Sequence, residues 1–414
     1  MPQHNARKKH LHPSDLHAAS KLAIDATVGL TNLVETMHKN ISRLPGILGV
    51  KTDDPTSGIT GFVYRSIRGV TRAVGGGLDL ALGQVAELVK QQPPSNAREA
   101  VIAALNGVMG DHLVASNNPL AISMQLRRNG VLLTLTKKSL AHAIPQASGK
   151  ILLMVHGLCV NDLQWQRNGH DHGNALAADP AFAVPFTTVY LHYNSGLHIS
   201  VNGRDLASQV EALLKAWPVP VQDLTIIAHS MGGLVTRSAC DCGEQQEHRW
   251  LRVLTKIIFL GTPHFGAPLE RGGNWVNVIL DASPYTAAFA RLAKIRSAGI
   301  TDLRHAGVRD ADWQLQDRFA PSKKTKPHDL PLPAGVRCYA VAASIAKKPA
   351  TLAGRIIGDG LVPLQSALGQ HADPERNLAF PKSRQWIGYG MHHMDLLDSK
   401  TVYRRIRKWL SEQP

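Results

Sequence analysis

Leu224-Thr225-Ile226-Ile227-Ala228-His229-Ser230-Met231-Gly232-Gly233-Leu234-Val235 is the stretch whose reading decides the fold. Apolar and β-branched residues run into Ser230 as a buried strand. Beyond the two glycines the apolar positions Leu234, Val235 and Ala239 take helical spacing. A serine at such a strand-to-helix turn projects its hydroxyl above the sheet, beside the free N–H groups and positive dipole end of the helix. Those groups are what an oxyanion needs. Ala228 stands where the G-x-S-x-G pattern has its first glycine, and one methyl group is a mild departure. The competing reading of such a serine is a helix cap or turn residue.

The surrounding chain is large enough for this reading. It has 414 residues, 44% of them hydrophobic, which predicts one big domain with an appendage. No uninterrupted apolar run reaches the length of about 18 residues that a membrane span needs. The first residues carry Arg7, Lys8 and Lys9 without a following apolar segment, so no export signal is read. Four cysteines, Cys159, Cys240, Cys242 and Cys338, form no disulfide framework and fit a reducing, cytoplasmic setting. Cys240 and Cys242 lack the paired spacing of a zinc site, and no metal or cofactor is expected. The net charge of +15 is spread over short clusters such as Arg127-Arg128, Lys323-Lys324 and Arg404-Arg405, with no interleaved aromatics. Nucleic acid is therefore not expected as a partner, and peripheral contact with an anionic membrane or lipid surface is.

In chain order, residues 1–13 read as a disordered tail. Residues 14–120 read as a helical N-terminal region with helices over 14–41, 61–90 and 97–113, and Gly69, Gly76 and Gly83 seven apart on the second. Asn118-Pro119 marks the change to a domain over 121–414. Strands are expected at 131–136, 150–155, 187–191, 224–228, 256–260, 337–342 and 385–387. Helices are expected at 174–178, 203–216, 232–239 and 399–410. Near-continuously apolar strands alternating with helices predict an α/β fold, its mostly parallel sheet covered by helices on both faces. Between about 262 and 335 the rhythm is lost, with short helices near 287–298, and a lid-like insertion is expected.

An acyl-transfer serine needs a base, a carboxylate to orient that base, and two N–H donors. Asp359 in Gly358-Asp359-Gly360-Leu361-Val362 and His393 in His392-His393-Met394-Asp395-Leu396 follow Ser230 in the order Ser, acid, His. His392 is the rival base, and Asp395 and Asp373 are rival acids. His156-Gly157-Leu158 ends an earlier strand where it can turn over the serine. These segments, with Leu260-Gly261-Thr262-Pro263-His264-Phe265-Gly266, resemble the α/β-hydrolase superfamily in its lipase and esterase branch, similar to small bacterial lipases and inositol-deacylase relatives. The resemblance covers residues 130–414. It implies the α/β-hydrolase fold, with Ser230 as nucleophile, His393 as base, Asp359 as its orienting acid, and an oxyanion hole from the N–H groups of Leu158 and Met231. Asp162, Trp165, Tyr193 and Asn194 follow strands and are expected to line the substrate pocket. His156, His229 and His264 are expected to be structural.

Two functions are compatible with this pattern. One is a serine carboxylic-ester hydrolase, lipase or esterase, with an acyl-ester or lipid substrate. The other is a non-catalytic lipid-surface protein built on the same scaffold.

Overall fold

The computed structural model describes residues 96–267, 297–314, 330–348 and 358–412. The tail over 1–13, the helices expected over 14–41 and 61–90, the glycine row and nearly all of the short helices near 287–298 lie outside the described residues. Of the expected insertion, residues 262–267, 297–314 and 330–335 are described.

The chain enters through α1 (Asn96–Ala115), followed by β1 (Gln125–Arg128), β2 (Val131–Leu132), α2 (Lys137–Ala143) and β3 (Lys150–Val155). Next come α3 (His172–Ala177), β4 (Thr187–His192), α4 (Ile199–Ala216), β5 (Asp223–His229), α5 (Met231–Gln245) and β6 (Leu254–Leu260). The rest is α6 (Ala298–His305), β7 (Arg337–Ser344), α7 (Leu364–Ala367), β8 (Gln385–Tyr389) and α8 (Lys400–Ser411), with short 3-10 turns between. The eight strands form one sheet in the order β2-β1-β4-β3-β5-β6-β7-β8. From β4 to β8 every pairing is parallel, and the β2-β1 edge is antiparallel. This is the mostly parallel α/β sheet that the strand and helix pattern predicts, in the α/β-hydrolase fold that the resemblance implies.

Alternation along each strand divides the core into two layers. Ile151, Leu153, Val155, Ile226, Ala228, Ile257 and Phe259 face one side, where α1, α4 and α5 pack. Leu152, Met154, Ile227, Ile258 and Leu260 face the other, against Leu176 of α3 and Val402, Ile406 and Trp409 of α8. Both faces are covered, so β3 carries buried residues at every position after Lys150. Each fully buried leucine or isoleucine contributes about 1.5–3 kcal/mol.

The expected strand over 131–136 is two different things. Asn129 and Gly130 both have positive φ, 52° and 75°, the mark of a type I′ turn, and they join β1 to a two-residue β2. The run then stops because the Thr136 side chain accepts a hydrogen bond from the Ser139 N–H and caps α2. Upstream, α1 is buried from Ala100 through Met109 and belongs to the same core as the sheet. The Asn106 amide donates to the Leu120 carbonyl at 2.8 Å and its oxygen accepts from the Ile122 N–H at 2.9 Å, stitching helix to hairpin across the expected boundary.

Candidate functional site

The register of the parallel strands brings the candidate residues to one edge. Val155 lies opposite Ala228, and His229 opposite Leu260, so His156, Ser230 and Gly261 leave three neighbouring strands side by side. β7 and β8 end together, with Ser344 opposite Tyr389, and the turns that follow carry Asp359 and His393. This is the carboxyl edge, where open α/β sheets place their sites.

Ser230 has φ 54° and ψ −127° and immediately precedes α5. A non-glycine residue in that region costs on the order of 1–3 kcal/mol and persists where the surroundings enforce it. The surroundings do: the Ser230 N–H donates to the Leu260 carbonyl at 2.8 Å, and a Cβ at Gly157 would lie only 2.9 Å from the serine Cβ. The side chain makes no capping hydrogen bond, so the helix-cap reading fails. The N–H of Met231 opens α5 and, like any first-turn N–H, has no acceptor within its own helix.

His393 is buried at 3% exposure, and its Nδ1 lies 2.7 Å from Oδ2 of Asp359. The other carboxylate oxygen accepts the N–H groups of Leu361 and Val362 at 3.0 and 2.8 Å. The Gly-Asp-Gly-Leu-Val turn thus holds its own acid rigidly. Gly261 lets the imidazole pack closely on the end of β6: a Cβ there would meet Cε1 and Nδ1 of His393 at 3.0 and 3.1 Å, one residue beyond the carbonyl that anchors Ser230. His392 is exposed, and Asp395 accepts its backbone N–H at 2.7 Å. Asp373 caps the turn at Glu375. Neither rival acid bonds to His393.

A belt of neutral imidazoles lies under the edge. Burial lowers His156 to about 3, against the hydrogen bond of its Nδ1 to the Gly157 carbonyl. Burial, with the neighbouring His393 adding to it, lowers His229 well below the ordinary range. The His229 ring lies 4.6 Å from that of His393, and its Nε2 is 3.4 Å from the His393 carbonyl.

The residues expected to line a pocket are buried beneath this edge. The Tyr193 hydroxyl donates to the His156 carbonyl at 2.9 Å and its ring stacks on His156. Burial pushes the Asp162 carboxyl up, but His192, 2.9 Å away, and Arg127 outweigh it and hold the net value low. Trp165 presents its edge to His229. Asn194 donates to the Gly110 carbonyl of α1. Leu158 begins a short loop braced by the Cys159 N–H donating to Ser195 Oγ at 3.1 Å. Gly261 and Ser195 join the site through these contacts, beyond the residues expected from sequence. Gly261 lay within a quoted motif, whereas nothing near Ser195 signals its contact.

Among the described residues no group of three or more His, Cys, Asp or Glu side chains could hold a metal ion. No described helix is long and apolar enough to cross a membrane.

One family model matches, described as a domain of unknown function (DUF7379), over residues 132–306, less than half of the chain. No curated protein matches. Among solved structures, the mature lipase BlEst2 of Bacillus licheniformis is similar at 14% identity and a TM-score of 0.40, covering 65% of this chain and 94% of that one. An esterase of Thermogutta terrifontis is similar at 12% identity and a TM-score of 0.36, covering 64% and 90%. Phospholipase PlaB of Legionella pneumophila is similar at 15% identity and a TM-score of 0.35, covering 53% and 45%. The fold assignment rests on the strand order and directions, independently of these likenesses.

Proposed function

We propose that the chain is a serine hydrolase of carboxylic esters. The observation that carries the reading is the backbone of Ser230, held in a costly conformation before a helix with its hydroxyl spent on no cap. Its neighbours fit the chemistry. Nδ1 of His393 is committed to Asp359, which leaves Nε2 for the serine proton. Ser230 Oγ attacks the carbonyl carbon as His393 takes its proton, and the developing oxyanion is met by the N–H groups of Met231 and Leu158. The tetrahedral adduct collapses, the alcohol leaves with the proton from His393, and an acyl-enzyme remains. Water, deprotonated by the same nitrogen, then attacks the acyl carbon and releases the acid and Ser230.

The substrate class we favour is an acyl ester of lipid character, presented at an anionic surface to a chain carrying +15 net charge. Four free cysteines accord with a cytoplasmic setting. The test is hydrolysis of p-nitrophenyl esters of increasing acyl length by the wild type and Ser230→Ala. The expected result is turnover by the wild type, an optimum at long acyl chains, and a loss on the order of 10⁴-fold or more in the variant. Turnover that survives Ser230→Ala removes the proposal, and an optimum at acetate removes the lipid assignment. Absence of turnover on every ester favours the non-catalytic reading.

A further inference from the structure

Two histidines outside the Ser230 site form a chain that ends on the turn carrying His393. Nε2 of His170 lies 2.8 Å from Nδ1 of His172, and Nε2 of His172 lies 3.0 Å from the Leu396 carbonyl. Leu396 belongs to the 3-10 turn His393–Leu397. The end of the chain fixes its hydrogens. A carbonyl only accepts, so Nε2 of His172 carries the hydrogen. Burial lowers His172 to about 4, against the hydrogen bond to Leu396 and with His170 adding to the lowering, so near pH 7 the ring is neutral and its Nδ1 is bare. His170 then donates to that nitrogen from its own Nε2–H.

The anchor of this chain is held firmly. His172 is fully buried at the start of α3, and the Asp171 carboxylate beside it accepts the Tyr190 hydroxyl at 2.8 Å and the Asn174 N–H at 2.9 Å. The Thr188 hydroxyl donates to the Gly173 carbonyl, and a Cβ on Gly173 would lie 2.7 Å from Thr188 Cγ2, so α3 is pressed onto β4. The Tyr403 ring of α8 stacks on His172, its hydroxyl donating to Asp179. His170 closes a tight hairpin with Arg167, and the residues between them, Asn168 and Gly169, have φ of 46° and 77°. From that hairpin the Asn168 amide donates to the Asp398 carboxylate, one residue beyond the His393 turn. Residues 167–172 therefore grip the far end of the turn at two points, the Leu396 carbonyl and Asp398.

The turn needs such a grip. A single 3-10 turn has few internal hydrogen bonds, of poorer geometry than those of an α-helix, and its last carbonyls find no donor within it. Residues three apart in it eclipse, which sets Leu396 on the same side as His393. The contacts agree: a Cβ on Gly261 would meet Cδ1 of Leu396 at 2.8 Å and Cε1 of His393 at 3.0 Å. Rotation of the turn about its axis would carry both side chains off the end of β6 together, and would draw Nδ1 of His393 away from Asp359. A hydrogen bond that pins the Leu396 carbonyl opposes that rotation.

We propose that His172 is a positioning residue for His393, with His170 fixing the tautomer in which it acts; the inference rests on the reading of His393 as the base of a Ser230 hydrolase. The experiment is steady-state hydrolysis of p-nitrophenyl butyrate by the full chain, comparing the wild type with His172→Phe, His172→Gln and His170→Phe. Sites are titrated with a fluorophosphonate, and folding is checked by the thermal transition. Phenylalanine at 172 keeps a ring against Tyr403 and removes both nitrogens, whereas glutamine returns an N–H near the reach of Nε2. The expected result is kcat per titrated site lowered about tenfold or more in His172→Phe, with KM changed by less than about twofold. His172→Gln is expected to recover to within about threefold of the wild type. His170→Phe is expected to lower kcat about threefold or more, because His172 is then free to turn a bare nitrogen to the carbonyl. A merely structural role predicts a lower thermal transition with kcat per titrated site unchanged, and that result in His172→Phe overturns the proposal. So does a His172→Gln variant no more active than His172→Phe. Should His172→Phe fail to fold, an unchanged kcat in His170→Phe overturns it. A wild type that hydrolyses no ester, or equal turnover by Ser230→Ala, removes the hydrolase reading itself, a failure distinct from equal kcat in the wild type and His172→Phe.

Discussion

Acid should unfold this protein through its histidines before its carboxylates titrate. His156, His172, His229 and His264 are all buried and all lowered by that burial, His156 to about 3 and His172 to about 4. In the unfolded chain each titrates near 6.5. The folded pKa is depressed, so the folded state binds fewer protons, and the stability this represents is full above 6.5 and lost as pH falls toward the folded values. At pH 5.5 an unfolded histidine is about nine-tenths protonated, while folded His156 and His172 are nearly neutral. Through these two, unfolding takes up roughly 1.8 protons and stability falls by about 2.4 kcal/mol per pH unit, with His229 and His264 acting in the same direction. Asp205 and Asp302, raised by burial, oppose this only as the carboxylate range is approached. The assay is urea unfolding at pH 7.5, 6.5 and 5.5 in one buffer series, with proton uptake on unfolding measured at pH 5.5. A stability unchanged between 7.5 and 5.5, or an uptake near zero, would refute the assignment of these imidazoles as neutral and buried.

Gly107→Ala is expected to destabilise by about 1–3 kcal/mol, because its Cβ would sit 2.3 Å from the Cys159 sulfur and the helix cannot retreat from the loop after Leu158. An unchanged urea midpoint would show that α1 does not brace that loop. Asp359→Asn is expected to keep the fold, since its remaining oxygen still accepts from Leu361 and Val362, and to lower kcat on esters on the order of 10⁴-fold by holding the wrong tautomer of His393. A loss under tenfold, by steady-state kinetics, would remove Asp359 from the proposed triad.

The central sheet was legible because its strands are buried on both faces and read as unbroken apolar runs, as in Lys256-Ile257-Ile258-Phe259-Leu260. The Asp359 turn was legible because glycines at 358 and 360, both at positive φ, leave a pattern that few turns require. β1 was not, since Gln125-Leu126-Arg127-Arg128 has one buried residue in four, and its only local mark was the Asn129-Gly130 pair. Thr136 misled because a β-branched residue suits a strand and a threonine suits an N-cap, and only the Ser139 N–H decides between them. The contact of α1 with the loop at Cys159 pairs residues about fifty apart and has no local signature.

A serine hydrolase of this design requires an activated hydroxyl on Ser230. Its most direct test is incubation of the intact wild-type chain with a fluorophosphonate, followed by peptide mass spectrometry to locate the adduct. The expected result is one adduct, on Ser230, absent from Ser230→Ala and slowed in His393→Ala. Labelling at another residue, or none on a folded wild-type chain, would contradict the account.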